Sequence, residues 1–265
     1  ICSRFKVSRQ ALYEYRKREK QTKAENKVVL HLVHGKRRQL PREGIKKLHR
    51  RLRKDFKNLG IKMGRDKLCD LLRANDLLVK PLRRFAKTTQ SRHRFYTYKN
   101  LIKDCIPSRP NEVWVSDITY IRVKSKFMYL ALTTDAYSRK IVGYDISDSL
   151  ELTGCLRALR MAIKQRESTQ ELIHHSDRGI QYCSRAYTEL LAQKEIQISM
   201  AQAGNCYENA MAERVNGILK DEFFLNQNFS TQAQATKVVH EAIKLYNQVR
   251  LHMNINYMTP SKKHV

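Results

Sequence analysis

The chain lacks what several enzyme mechanisms require. It contains no Gly-x-Ser-x-Gly elbow, no Walker loop and no dinucleotide fingerprint. Covalent serine, ATP-driven and nicotinamide chemistry therefore have no anchor in it. Its six cysteines, Cys2, Cys69, Cys105, Cys155, Cys183 and Cys206, form no Cys-x-x-Cys pair. With no secretory leader visible, they are expected to be reduced structural thiols in a cytoplasm. His31 and His34 have the spacing of half a zinc site, but the cysteine half is missing, so packed or solvated helix histidines are expected. No run of eighteen apolar residues occurs, which argues against a membrane-spanning helix. Internal repeats and low-complexity tracts are absent as well.

Acidic residues are scarce in one half. Residues 1–110 hold 33 Lys and Arg against 9 Asp and Glu, whereas residues 111–265 hold 19 against 16. Nearly all of the net +27 therefore lies in the front part. A field of that sign draws phosphate backbones or anionic membranes. The back half reads as a nearly neutral fold.

Hydrophobic spacing divides the chain further. Residues 1–35 read as a partial helix-turn-helix: the end of one helix, a turn, and a second helix capped by Ser8, with Ala11, Leu12 and Tyr15 on one face. Residues 36–80 read as a helix-turn-helix. In it Pro41 opens a helix carrying Ile45, Leu48, Leu52 and Phe56, and a second helix runs from about 64 to 75 with Leu68, Leu71 and Leu72. Arg65 and Lys67 on that second helix are candidate DNA contacts. A basic linker, 81–108, interleaves Phe95, Tyr96 and Tyr98 with Arg92, Arg94 and Lys99; Arg92 and Arg94 are candidate phosphate contacts. From Glu112 the period changes to three strands (113–121, 128–134, 140–146), a helix (153–164), a strand (172–175), a helix (184–193), a strand (196–200) and a long helix (209–223). Ser125-Lys126 and Ser138-Arg139 are the expected hairpin turns. This order predicts an α/β fold with an antiparallel start and parallel later strands, over 109–225. Residues 226–265 are expected to form a helical extension.

Three carboxylates stand beside apolar residues, where a lone charge is costly to desolvate. Asp117 alternates with Trp114, Ile118 and Tyr120 along a strand, although aspartate disfavours strand interiors. Asp177 follows Leu172-Ile173 at a strand end, where α/β sheets place ligands, although Asp-x-Gly is also a common turn. Glu213 shares a helix face with Asn209, Asn216, Gly217 and Lys220, which also reads as an ordinary solvated stripe. Glu222 projects about 180° from Glu213 and cannot serve the same site. Oxygen donors of this kind suit a pair of magnesium ions, with manganese able to substitute, acting on a phosphodiester.

At Trp114-Val115-Ser116-Asp117-Ile118-Thr119-Tyr120, His175-Ser176-Asp177-Arg178-Gly179-Ile180-Gln181-Tyr182 and Asn209-Ala210-Met211-Ala212-Glu213 with Leu219-Lys220, the chain resembles the DDE transposases of bacterial insertion sequences. It looks like the second-frame protein of insertion-sequence family three, whose core is shared with retroviral integrases. Tyr246-Asn247-Gln248-Val249-Arg250-Leu251-His252 and Tyr257-Met258-Thr259-Pro260 also match, and thirty-five residues separate Asp177 from Glu213. The resemblance implies a ribonuclease-H-like core with Asp117, Asp177 and Glu213 as catalytic metal ligands. It implies cleavage at element ends followed by strand transfer from the freed 3′-hydroxyl. It also implies Lys220, Arg178 and Asn209 as DNA-binding residues, Asn209 also capping the helix of Glu213 and helping to shape the site, a homo-oligomer on DNA, and possible fusion to an upstream-frame protein. The expected location is the cytoplasm, at the nucleoid. Glu208 replaces the usual Asp, and Asn254-Ile255-Asn256 departs from the family pattern. A DNA-binding remnant without catalysis and a structure-specific nuclease of the same fold are the competing readings.

Overall fold

The computed structural model describes residues 8–80, 96–103, 105–166, 170–202 and 209–265. The chain separates into two compact units, 1–81 and 82–265. Arg92 and Arg94, with most of the expected linker, lie outside the described residues.

The first unit holds α1 (Arg9–Gln39), α2 (Ile45–Asn58) and α3 (Arg65–Ala74). Ser8 caps α1 as expected, its hydroxyl accepting from the Ala11 amide at 3.0 Å. The turn expected ahead of Ser8, and the helix end before it, lie outside the described residues. α1 continues unbroken through 31 residues, so the division at 35/36 falls inside a helix. Its last turns supply the reason. Val29 and Val33 are fully buried with Leu48, Leu52, Phe56, Met63, Leu68 and Leu72, so that end of α1 belongs to the same core as α2 and α3. Pro41 does not open α2, because α2 starts after Gly44. Pro41 instead follows the last residue of α1 and Leu40, where a residue without an N–H cannot continue the helix. His31 and His34 are exposed on α1.

In the second unit, β1 (Val113–Val123), β2 (Lys126–Asp135) and β3 (Ile141–Ser147) form an antiparallel meander. β4 (Ile173–Ser176) and β5 (Gln197–Met200) then add in parallel beside β1, giving the order β3-β2-β1-β4-β5. The turn between β1 and β2 is Lys124-Ser125 rather than Ser125-Lys126, since Val123 pairs with Lys126 and Lys124 has φ +53°. The crossovers carry α4 (Leu152–Lys164) and α5 (Arg185–Gln193), whose apolar faces join Trp114, Ala131 and Val142 in one core. α4 lies so close to β3 that a Cβ at Gly143 would stand 2.1 Å from the Ala158 carbonyl oxygen.

α6 (Ala210–Glu222) and α7 (Gln232–Gln248) pack on this unit, and the short α8 (Pro260–His264) follows. The 226–265 segment is tied to the sheet by side chains. Asn247 both donates to and accepts from the Ile141 backbone, at 3.0 and 2.9 Å, and the Tyr246 hydroxyl donates to the Arg139 carbonyl. Arg250 grips Glu222 at 2.6 and 2.9 Å, which occupies the carboxylate that helical pitch had excluded from the site. No described helix is long and apolar enough to cross a membrane.

Candidate active site

Asp117 and Asp177 meet because of sheet register. β1 and β4 run parallel with Ser116 opposite Ser176 as the last pair. The next residue on each chain is an aspartate, placed where β4 leaves the sheet. Both line one open cleft of about 610 Å³, with Tyr120, Tyr129, Gln181 and Tyr182 among its walls.

The two carboxylates are held by different means. The Asp117 Oδ1 accepts from the Ile118 amide at 2.9 Å and Oδ2 from the Asn216 side-chain amide at 2.8 Å. Asp177 Oδ1 accepts from the Gly179 amide at 2.9 Å, so the Asp-x-Gly turn is present and fixes the acid that lines the cleft. A Cβ at Gly179 would lie 3.0 Å from that oxygen. Burial, reinforced by the charge of Asp177 and more weakly by that of Glu213, raises the Asp117 carboxyl to about 7, against the two hydrogen bonds that hold it down. Two like charges confined together favour a proton or a cation between them.

Behind the acids lies a buried polar network. The Ser116 hydroxyl is 3.0 Å from Thr133 Oγ1 and 2.9 Å from His174 Nε2, and the Tyr187 hydroxyl is 3.0 Å from the same nitrogen. Burial drives the His174 imidazole down to about 3, so it is neutral and fills a structural role.

Glu213 sits in the first turn of α6, where the helix dipole favours an acid. Its charge reaches Asp117, but it is not among the residues lining the cleft. Among the described residues no three of His, Cys, Asp and Glu stand close enough to share one ion. The structure therefore unites two of the expected three. The segment that enters α6, residues 203–208, lies outside the described residues.

The donor set of the aspartate pair fits a hard divalent cation: carboxylate oxygens, held in place, in an electrostatically strained pair. Asn209 Oδ1 and Asn216 Oδ1 are buried oxygens that meet no hydrogen-bond donor among the described residues.

The remaining expected residues are dispersed. Lys220 is half-buried on α6, its amine lowered by burial while the charge of Asp117 opposes that shift. Arg178 lies beside the cleft, and its Nε donates to the Ala201 carbonyl at 2.8 Å. Asn209 holds the N-cap position of α6 but makes no capping bond, contrary to expectation. Its backbone, at φ −109° and ψ 18°, is not in the extended form that points a cap side chain at the helix amides. It is buried and donates to the Ser116 carbonyl at 3.3 Å, bracing the strand one residue before Asp117. Arg65 and Lys67 are exposed on α3 in the other unit, Arg65 in an ion pair with Asp66 at 2.6 Å. Sequence reasoning placed Asn216 on the Glu213 face without giving it a role. An amide one turn from an acid on a half-polar face was the available signal.

Comparison with known proteins decides the family. The integrase core domain family matches residues 107–206, and a second integrase core domain description matches 194–260. The chain is 35% identical to the insertion element IS600 uncharacterized 31 kDa protein of Shigella sonnei, across 98% of this chain and 96% of that one. It is also 35% identical to the transposase for insertion sequence element IS904 of Lactococcus lactis, over 66% of this chain and 73% of the relative. The chain belongs to the DDE transposases of insertion sequences. The fold agrees: the intasome of simian T-cell lymphotropic virus, solved in complex with PP2A regulatory subunit B56 gamma, covers 84% of the transposase at a TM-score of 0.50 and 18% identity. The second integrase core match crosses the expected division at 225/226, in keeping with the packing of α7 onto the sheet unit.

Proposed function

We propose that Asp117, Asp177 and Glu213 are the carboxylates through which this transposase holds divalent cations, two magnesium ions or manganese in their place, and cuts and joins DNA at the ends of its element. The observation that carries the proposal is the adjacency of Asp117 and Asp177 where β4 leaves its parallel pairing with β1, both lining an open cleft of about 610 Å³. Bound cations would activate the attacking oxygen and stabilise the leaving one.

The chain's own groups prepare that step. The Ile118 amide and Asn216 hold both oxygens of Asp117, so the carboxylate plane is fixed before substrate arrives. The Gly179 turn does the same for Asp177 through one oxygen. Glu213 would supply the third carboxylate from α6. Lys220 and Arg178 offer positive charge to the phosphates on either side. In the first reaction water adds across a phosphodiester and leaves a 3′-hydroxyl and a 5′-phosphate. In the second that hydroxyl attacks a target phosphodiester, exchanging one ester for another.

Arg65 and Lys67 on α3, together with Arg92 and Arg94, contact DNA backbone in this reading. Two ends must be held together, so the active form is a homo-oligomer on DNA, with an upstream-frame fusion supplying further end recognition.

Asp117→Asn tests the site. It keeps the shape and removes the charge. With oligonucleotides carrying the element's terminal repeats, the variant should lose cutting by about a thousandfold or more and bind as the parent does. Parental cutting by the variant would dismiss the site. A parent that cuts without joining would point to the nuclease reading.

A further inference from the structure

Three residues beyond Asp117 the same strand carries Tyr120. In the antiparallel register Tyr120 stands opposite Tyr129, and Arg122 opposite Phe127. Side chains alternate across a sheet, so these four share a face with the Ile118–Ala131 pair. The core beneath α4 covers that face at Ile118 and Ala131. Toward the hairpin tip the cover ends: Tyr120 is 36% exposed and Phe127 45%.

The rings form one cluster. The Tyr120 centroid is 5.3 Å from that of Tyr129 and 6.0 Å from that of Phe127, at interplanar angles of 67° and 82°. The Arg122 guanidinium lies 5.8 Å from the Phe127 centroid. A cross-strand pair explains Tyr120 against Tyr129, but it requires neither an exposed third ring nor an arginine beside it. An exposed aromatic patch continuous with a polar cleft marks a binding surface. Tyr120 and Tyr129 line the same cleft as Asp117 and Asp177, and the charges of both acids are felt at the Tyr120 hydroxyl.

The occupant must combine negative charge, for Arg122 and a chain of net charge +27, with planar groups for the rings. A nucleotide strand does so. In an intact duplex the base faces are already stacked, so only an unpaired nucleotide can offer one. We propose that Tyr120, buttressed by Tyr129 and Phe127, stacks an unpaired base of the DNA strand entering the cleft, so that the site accepts a frayed end in preference to closed duplex. The inference rests on the reading of the cleft as the cutting site.

The test uses the full chain without metal, so that it is independent of cutting. The probes are a short duplex with a single-stranded tail carrying 2-aminopurine, and the same duplex with blunt ends. The parent should quench the tail fluorescence and prefer the tailed probe. Tyr120→Leu, which keeps an apolar strand residue, should abolish the quenching and lose about tenfold of the preference, with blunt-duplex affinity unchanged. Tyr120→Trp should retain both. If the leucine variant quenches and discriminates like the parent, or if the tryptophan variant loses both properties while melting at the parental temperature, stacking at Tyr120 is refuted. Either result leaves the Asp117→Asn cutting assay unaffected, so the two ideas fail separately.

Discussion

The helical unit and the sheet unit manage charge in opposite ways. In the first, α2 and α3 bury a narrow apolar stripe and leave most of their basic residues at the surface, Arg51 with its partner Glu43 being an exception. In the second, which is close to neutral from residue 111 onward, polar groups are taken inside: Ser116, Thr133, Asp135, His174, His175 and Ser199 are all buried. Contact with a phosphate backbone depends on a summed field and tolerates loose placement. Chemistry at one phosphorus requires groups fixed to a fraction of an ångström, and that requires buried hydrogen-bond partners.

The largest effect expected from this contrast is acid sensitivity confined to the sheet unit. His174 has a folded pKa of about 3, below its ordinary 6.5. As pH falls below 6.5 the unfolded chain binds this proton and the folded chain does not. Stability is therefore complete above 6.5 and declines down to pH 3, by as much as about 5 kcal/mol. Denaturant midpoints of the full chain at pH 7 and pH 4 measure it. An equally steep decline in His174→Phe would assign the effect elsewhere.

Glu222→Ala should cost the sheet unit about 3 kcal/mol, because it strands the buried Arg250 guanidinium without its partner. Thermal melting reads this. A parental melting temperature would show that the 226–265 segment contributes little to the core it packs on.

Asn216→Leu should lower cleavage by about ten- to a hundredfold, by releasing one oxygen of Asp117 from its donor. The loss should appear in metal titrations as a weakened apparent affinity, while DNA binding stays unchanged. Unaltered metal dependence would remove Asn216 from the site.

The smallest effect belongs to the helical unit. Arg65→Gln with Lys67→Gln should weaken DNA binding a few-fold and reduce the slope of log affinity against log salt by about one for each phosphate no longer neutralised. Cleavage of DNA already bound at saturating protein should hardly change. An unaltered slope would place the DNA surface of this unit elsewhere than α3.

Much of this was legible in the residues. Alternating runs such as Val113 to Ile121 and helical stripes such as Leu156, Leu159 and Ile163 fix element type, because burial on one face leaves a period of 2 or 3.6 in the chain. From residue 113 onward the strands, helices and their order match expectation within a few residues. Boundaries were less legible where a residue had two competing uses: Pro41 could open α2 or end α1, and packing of Val29 and Val33 decided for the end. The resemblance implied that Asn209 caps α6, yet its side-chain amide donates to the Ser116 carbonyl instead.

The sequence by itself determined which groups are available: three acids beside apolar walls, a basic front half and a neutral back half, because composition and spacing are local properties. Tertiary structure alone decided which of them meet. Parallel register brings Asp117 beside Asp177, an amide on α6 reaches across to hold one of them, and Tyr120 is left at the margin of their cleft. These pairings join residues about sixty to a hundred positions apart, and no local periodicity encodes the distance between them.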